Sequence, residues 1–175
     1  MRATKKIEML PLISILSLAL VPCALASAAL AGDSSDTANT LTKIHESDQR
    51  EIDMGKMAEK NGKGKDTISF GKMLVKDHTD SAKKVVALAK KEKIELGSAS
   101  PTMTDSEMSK MANSDDFDKR FAQAMLDDHT KDIAELTAAH DRTTDEHLKK
   151  LIAGLLPTLK RHQATAQKLV DEATK

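Results

Sequence analysis

The sequence predicts an all-α protein: an antiparallel four-helix bundle with a short crossover helix, preceded by a signal peptide. Three observations predict it. Apolar residues recur at three-and-four spacing through nearly the whole chain, and no stretch alternates with a period of two for long. Glycine-rich or capping segments divide that pattern into four long pieces and one short one. The amino terminus has the composition of an export signal rather than of a helix in a core.

That terminus begins with a basic stretch, Met1-Arg2-Ala3-Thr4-Lys5-Lys6, followed by an apolar run from Met9 to Leu20. The run is shorter than a membrane span requires. Two small-x-small sites follow, Ala24-Leu25-Ala26 and Ala29-Leu30-Ala31. A signal peptide of residues 1–26 is expected, with cleavage as late as residue 31, and with it a periplasmic address. The single cysteine, Cys23, precedes both sites, so the mature chain offers neither a disulfide nor a thiolate metal site. Lipid anchoring at Cys23 is disfavoured because Pro22 stands where a lipoprotein signal carries a small residue.

The whole chain has 27 basic and 27 acidic residues. Removing residues 1–26 takes away three basic and one acidic residue, leaving 24 and 26 and a net charge near −2. Nucleic acid needs a basic excess and is therefore not an expected partner. Tyr and Trp are absent and Phe occurs three times, so the chain lacks both base-stacking platforms and the aromatic girdles of a membrane barrel. No transmembrane span is expected in the mature chain.

Residues Asp33 to Asn39 are small and polar and read as a flexible leader, with the bundle occupying 37–173. The first helix is predicted from about Thr37 to Lys60, with Ile44, Asp48, Glu51, Gly55 and Ala58 on its inward seam. Asn61-Gly62-Lys63-Gly64-Lys65 ends it. The second starts near Asp66 and ends before Gly97, with the seam Gly71, Leu74, His78, Ser81, Val85 and Leu88. A linker from Gly97 to Pro101 leads into a short helix opened by Thr104-Asp105-Ser106-Glu107, a capping-box pattern. The third long helix is expected to be capped by Ser114, with Ala122, Leu126, His129, Ile133 and Leu136 facing in. Thr143-Thr144-Asp145-Glu146 reads as a second capping box. The last helix then faces Leu148, Leu151, Leu155, Leu159, His162, Ala166 and Leu169 inward, with a kink or restart at Pro157.

A short repeat runs through the chain. Phe70-Gly-Lys-Met-Leu-Val-Lys-Asp77-His78-Thr79 parallels Phe121-Ala-Gln-Ala-Met-Leu-Asp-Asp128-His129-Thr130. It suggests two helical hairpins related by a pseudo-two-fold axis, as in bundles with one long crossover.

The inward seams of three helices each carry a histidine, His78, His129 and His162, and that of the first helix carries Glu51. Counting from the turns places Glu51 opposite His78 at mid-height, whereas His162 falls about six residues, roughly 9 Å, from the level of His129. If the four converge, they make a site for one zinc, copper or iron ion. The competing expectation is that each histidine is a buried group hydrogen-bonded to a neighbouring helix. A di-iron centre needs a glutamate three residues before each of two histidines, and those positions hold Val75, Leu126 and Leu159. His45, His140 and His147 are weaker candidates, the latter two lying near the third turn, where solvated histidines are ordinary. Met103, Met108 and Met111 read as packing rather than as copper ligands. No nucleophile–base pair or phosphate loop is present, so an enzyme is not the expectation.

Four segments, Glu51-Ile-Asp-Met-Gly-Lys-Met-Ala58, the Phe70–Thr79 motif, Asp116-Phe-Asp118 with Asp128-His129, and Leu156-Pro157-Thr-Leu159-Lys-Arg-His162, together resemble the bacterial domain of unknown function 4142. The resemblance covers nearly all of the mature chain. It implies a ferritin-like bundle in a bacterial envelope, under the label "predicted outer membrane protein", and brings no activity or substrate. The family's recurring Glu and His positions fall on Glu51, His78, His129 and His162. A polar helical bundle cannot span as a barrel, so periplasm is the expected address, with outer-membrane association as a peripheral matter. Three functional readings follow from the sequence: an envelope or stress-related bundle holding one metal ion; a structural or protein-interaction bundle without metal, as homo-oligomer or with an envelope partner; and a metal-dependent oxidoreductase.

Overall fold

The computed structural model describes residues 26–97 and 105–173. Within them the chain is helical, in the order α1 (Ala26–Asn61), α2 (Lys65–Glu92), α3 (Asp105–Ala112), α4 (Phe117–Arg142) and α5 (Glu146–Glu172). Residues 1–25, on which the expected signal peptide and Cys23 fall, and Met103 lie outside the described residues.

Helices α1 and α2 form one hairpin and α4 and α5 the other, and the two join through α2 against α5 and α1 against α4. The backbone amides of Lys63 and Gly64, in the α1–α2 turn, donate to the Asp118 carboxylate at the start of α4, at 3.0 and 2.7 Å. At the opposite end Thr37 of α1 donates to Asp145 beside the start of α5, at 3.2 Å. Every pair of neighbouring long helices is therefore antiparallel. The end bearing the α1–α2 turn is called the upper end below. Ile94 and Leu96 pack on the lower core and Met111 and Ala112 on the upper one, so the chain after α2 returns the length of the bundle before α4 begins. This is the single long crossover expected of such a topology.

The hairpin of α1 and α2 is held close by two glycines. A Cβ on Gly55 would stand 2.7 Å from the Gly71 carbonyl oxygen, and one on Gly71 would stand 2.6 Å from that of Gly55. Only hydrogen fits at that crossing. Two apolar clusters follow along the axis. The upper one contains Met54, Phe70, Leu74, Phe117, Phe121, Met125 and Leu169; the lower contains Leu41, Ile44, Val85, Leu136, Ile152, Leu155 and Leu159.

Several expectations are corrected here. Helix α1 begins at Ala26, so Asp33 to Asn39 are helical rather than a leader; Thr37, Thr40 and Leu41 are buried and tie this turn to the bundle. Ser114 is not the cap of α4. Asp116 holds that position, and the Ser114 hydroxyl bonds its carboxylate instead. Asp145, not Thr143, caps α5, accepting from the amides of His147 and Leu148, while Thr143 closes α4. Helix α5 runs without a break through Pro157, which stands on its exposed face. On α4 Met125 is fully buried, with Leu126 and Ile133 only half-buried, because Phe117, Phe121 and Met125 set the inward stripe.

The repeat also takes a different meaning. Its two copies fall on α2 and α4, which lie diagonally across the bundle and run in the same direction. Helices α2 and α4 belong to different hairpins and hold different places in them, α2 second and α4 first.

Candidate metal centre

Between the two apolar clusters lies a layer of buried polar side chains: Asp48 and Glu51 from α1, His78 from α2, His129 from α4 and His162 from α5. The three imidazoles offer ligand atoms that all lie within 4.8 Å of one another. Their ring centroids are 5.7, 5.3 and 5.2 Å apart.

His162 reaches the cluster although counting placed it about 9 Å away. The turn runs to Asp145 before α5 begins, which removes part of the offset. Side chains lean toward the N-terminus of their own helix, so on antiparallel α4 and α5 the two rings lean toward each other.

Each ring has one nitrogen committed outward. His78 Nδ1–H donates to Asp48 Oδ1 at 2.8 Å, and His129 Nδ1–H donates to the Met125 carbonyl at 2.8 Å. His162 Nε2–H donates to Asp77 Oδ2 at 3.1 Å, and Arg161 holds the same oxygen at 2.6 Å. A carbonyl and a carboxylate accept only, so these bonds fix the tautomers. The nitrogens left over are His78 Nε2, His129 Nε2 and His162 Nδ1, and each carries a lone pair when its ring is neutral. His129 Nε2 and His162 Nδ1 stand 3.2 Å apart, and His78 Nε2 is buried without a hydrogen-bond partner.

Two lone pairs at that distance repel unless a cation sits between them. A proton could serve only by making one ring an imidazolium. Burial, with the charge of His78 nearby, pushes His129 down to about 3. Burial also pushes His162 down to about 4, against the opposing effect of its hydrogen bond to Asp77. At neutral pH neither ring supplies that proton. His78 differs: burial would lower it, but the bond to Asp48 and the charge of Glu51 outweigh burial and raise it.

Glu51 is fully buried, and neither of its oxygens has a hydrogen-bond partner. Burial pushes its carboxyl up to about 8. It stands 3.9 Å from His129 Nδ1 and 3.9 Å from Arg50, so it flanks the histidines rather than joining the set within 4.8 Å. The residue that faces His78 is Asp48, one turn earlier.

Asp48 and Asp77 orient two of the rings, yet sequence reasoning did not select them. A signal existed for both. Asp48 sits on an apolar seam, where an unpaired carboxylate is costly, and Asp77 adjoins His78 in the repeated motif. The third acceptor, the Met125 carbonyl, is backbone and leaves no mark in sequence. Of the other histidines, His45 is half-buried, His140 pairs with Asp141, and His147 contacts Lys91 and Glu92 at the surface. Met111 packs against the upper core.

Beside the histidines lies a cavity of about 760 Å³ whose walls come from all four long helices, and His78, Asp48 and Asp77 line it. Its walls include Ile44, Leu136, Leu155 and Leu159 of the lower core. Charged residues of α2 (Lys76, Asp80 and Lys84) and of α1 and α4 (Lys43, Lys131 and Glu135) line it too.

The family described as domain of unknown function 4142 matches residues 22–169. The chain belongs to this family. The match spans α1, α2 and α4, α5 as far as Leu169, and every residue of the polar layer. No curated protein and no solved structure matches the chain. Among the described residues, no helix is long and apolar enough to cross a membrane.

Proposed function

We propose that this member of the 4142 family is an exported metal-binding bundle that holds one zinc, copper or iron ion through His78 Nε2, His129 Nε2 and His162 Nδ1. One observation carries the reading: two neutral imidazoles present lone pairs to each other at 3.2 Å, while their other nitrogens are held as donors. Two nitrogens bound to one tetrahedral zinc at about 2.0–2.1 Å stand about 3.3 Å apart, so that spacing suits an ion between them. The outward bonds to Asp48, Asp77 and the Met125 carbonyl are the kind that orient metal-bound imidazoles and raise their basicity.

Three nitrogens leave a coordination position for water or a further ligand. In the absence of metal the raised affinity of His78 for a proton makes that proton the ion's direct competitor. The basic start and small-x-small sites of residues 1–31 support an envelope address.

The test is metal analysis of untagged protein together with calorimetric titration. Near-stoichiometric uptake is expected in the parent, with loss in His129→Ala and in His162→Ala, both retaining helical circular dichroism. Uptake that persists in both variants would place the ion elsewhere. A parent protein whose melting temperature ignores zinc, copper and iron alike would end the metal reading.

A further inference from the structure

The outer side of α2 carries a regular pattern of its own. Four-and-three spacing along its solvent side gives Lys65, Ser69, Lys72, Lys76, Thr79, Lys83, Val86 and Lys90, and all but the half-buried Thr79 are exposed. At helical rise they make one straight stripe roughly 40 Å long. Lys84 and Lys91 flank it, so all the lysines of α2 lie on or beside the stripe, and α2 has no arginine. Asp80 pairs with Lys76 and Lys83 at 3.8 and 3.1 Å, and Asp77 pairs with Lys76 at 3.2 Å. Lys65, Lys72, Lys84 and Lys90 have no ion-pair partner among the described residues. Val86 interrupts the lysines. It is 47% exposed and is the one large apolar side chain at the surface among the described residues.

Charge is also divided across the bundle, although the chain is neutral overall. Helix α2 has seven basic and four acidic residues and its neighbour α5 has five and three. On the other side α1 has four and seven and α4 has four and six. This dipole turns α2 toward an extended anionic surface and α4, diagonally opposite, away from it. We propose that the α2 stripe docks on anionic phospholipid, its lysines along the plane of headgroup phosphates and Val86 entering that plane. Lysine is a point charge on a long flexible stem, which suits many loosely placed phosphates better than one bidentate anion. A flat sheet of phosphates meets a straight helix at each lysine in turn. An exposed valine set among lysines gains where an apolar layer lies directly beneath charged groups, as it does under lipid headgroups. Neither the stripe nor its docking depends on the metal ion.

Flotation with vesicles tests this on the full chain as it is exported. At low ionic strength the protein should float with vesicles of mixed phosphatidylglycerol and phosphatidylcholine and stay behind with phosphatidylcholine alone. Binding should vanish near 1 M salt, where the screening length falls to about 3 Å. Lys72→Glu/Lys90→Glu reverses two exposed, unpaired charges of the stripe and should bind the anionic vesicles roughly tenfold more weakly or worse, at an unchanged melting temperature. Lys60→Glu/Lys119→Glu makes the same change in net charge at exposed, unpaired lysines of α1 and α4, and should bind as the parent does. Parent protein that ignores anionic vesicles at low salt would overturn the proposal. So would equal weakening in the two double variants, which would make net charge rather than the α2 stripe responsible. Parent protein that self-associates but does not float would assign the stripe to protein contact and overturn it as well.

Discussion

The upper and lower halves of the bundle are built from the same four helices and packed in opposite ways. All three phenylalanines of the chain lie in the upper cluster, where Phe70 meets Phe121 edge-on and Phe117 stacks on Phe121, each pair 5.9 Å apart. The Gly55–Gly71 crossing brings α1 and α2 together there. The lower cluster is aliphatic, and the same axis opens into the cavity, with Ser81, Ala138, Ala139 and Thr158 among the small side chains along its wall. Across α1 and α4 the contact there is largely polar, with Arg50 between Asp128 and Asp132. The upper half is packed shut; the lower half leaves a cavity. The histidine layer sits at the boundary, anchored from above by Phe70, whose ring is 6.1 Å from that of His162, and open below through His78.

If that division is right, the two halves respond unequally to the same kind of truncation. Phe121→Ala empties a closed site and should destabilise the fold by about 3–5 kcal/mol. Leu155→Ala enlarges a space that already exists, and its loss should fall near the bottom of the range of about 2–5 kcal/mol. Urea unfolding of both variants checks this, and equal losses would break the comparison. A metal ion in the histidine layer would bridge the halves, and its effect should come next in size: at a hundredfold excess over its dissociation constant it adds about 2.7 kcal/mol to unfolding, and a chelator removes it.

Smaller again is the effect of the residues that orient the rings. Asp48→Asn should weaken metal binding by about 10–100-fold while leaving the helical content unchanged. An unchanged affinity in calorimetry would show that Asp48 serves packing alone.

The gentlest test is pH. In metal-free protein the Glu51 carboxyl is raised from 4.5 to about 8 and His78 is raised above 6.5, so the fold holds protons that the unfolded chain has released. Their contribution is present at low pH and lost as pH rises. His129 and His162 are lowered, so theirs grows as pH rises through 6.5 and offsets part of that loss. Between pH 6.5 and 8 the metal-free fold should therefore lose about 1 kcal/mol per pH unit. Metal replaces protons on the histidines, so its affinity rises over the same range. Thermal unfolding with and without zinc should then give slopes of different size, the loaded protein losing less; parallel slopes would contradict the account.

The seams of the long helices were legible because burial writes itself into spacing. Ile44, Asp48, Glu51, Gly71, His78, His129 and Leu159 all face inward as the three-and-four pattern requires. Met125 was not distinguished from Leu126, since either continues the stripe and only the phenylalanines before it decide the phase. Ile152 was passed over beside Leu151 for the same reason, although it is fully buried. The cluster of histidines was legible as a possibility, but its closure depended on the lean of side chains on opposed helices and on where the α4–α5 turn ends. The cavity was not legible at all. It arises where small residues from four helices face one another, and no single segment carries that information.

The central claim is that three imidazole nitrogens converge on one ion, and X-ray absorption at the metal edge of zinc-loaded protein tests it most directly. The account predicts three imidazole nitrogens at about 2.0–2.1 Å, with one lost in His162→Ala. A shell of oxygens, or an imidazole count that stays the same in that variant, would contradict it.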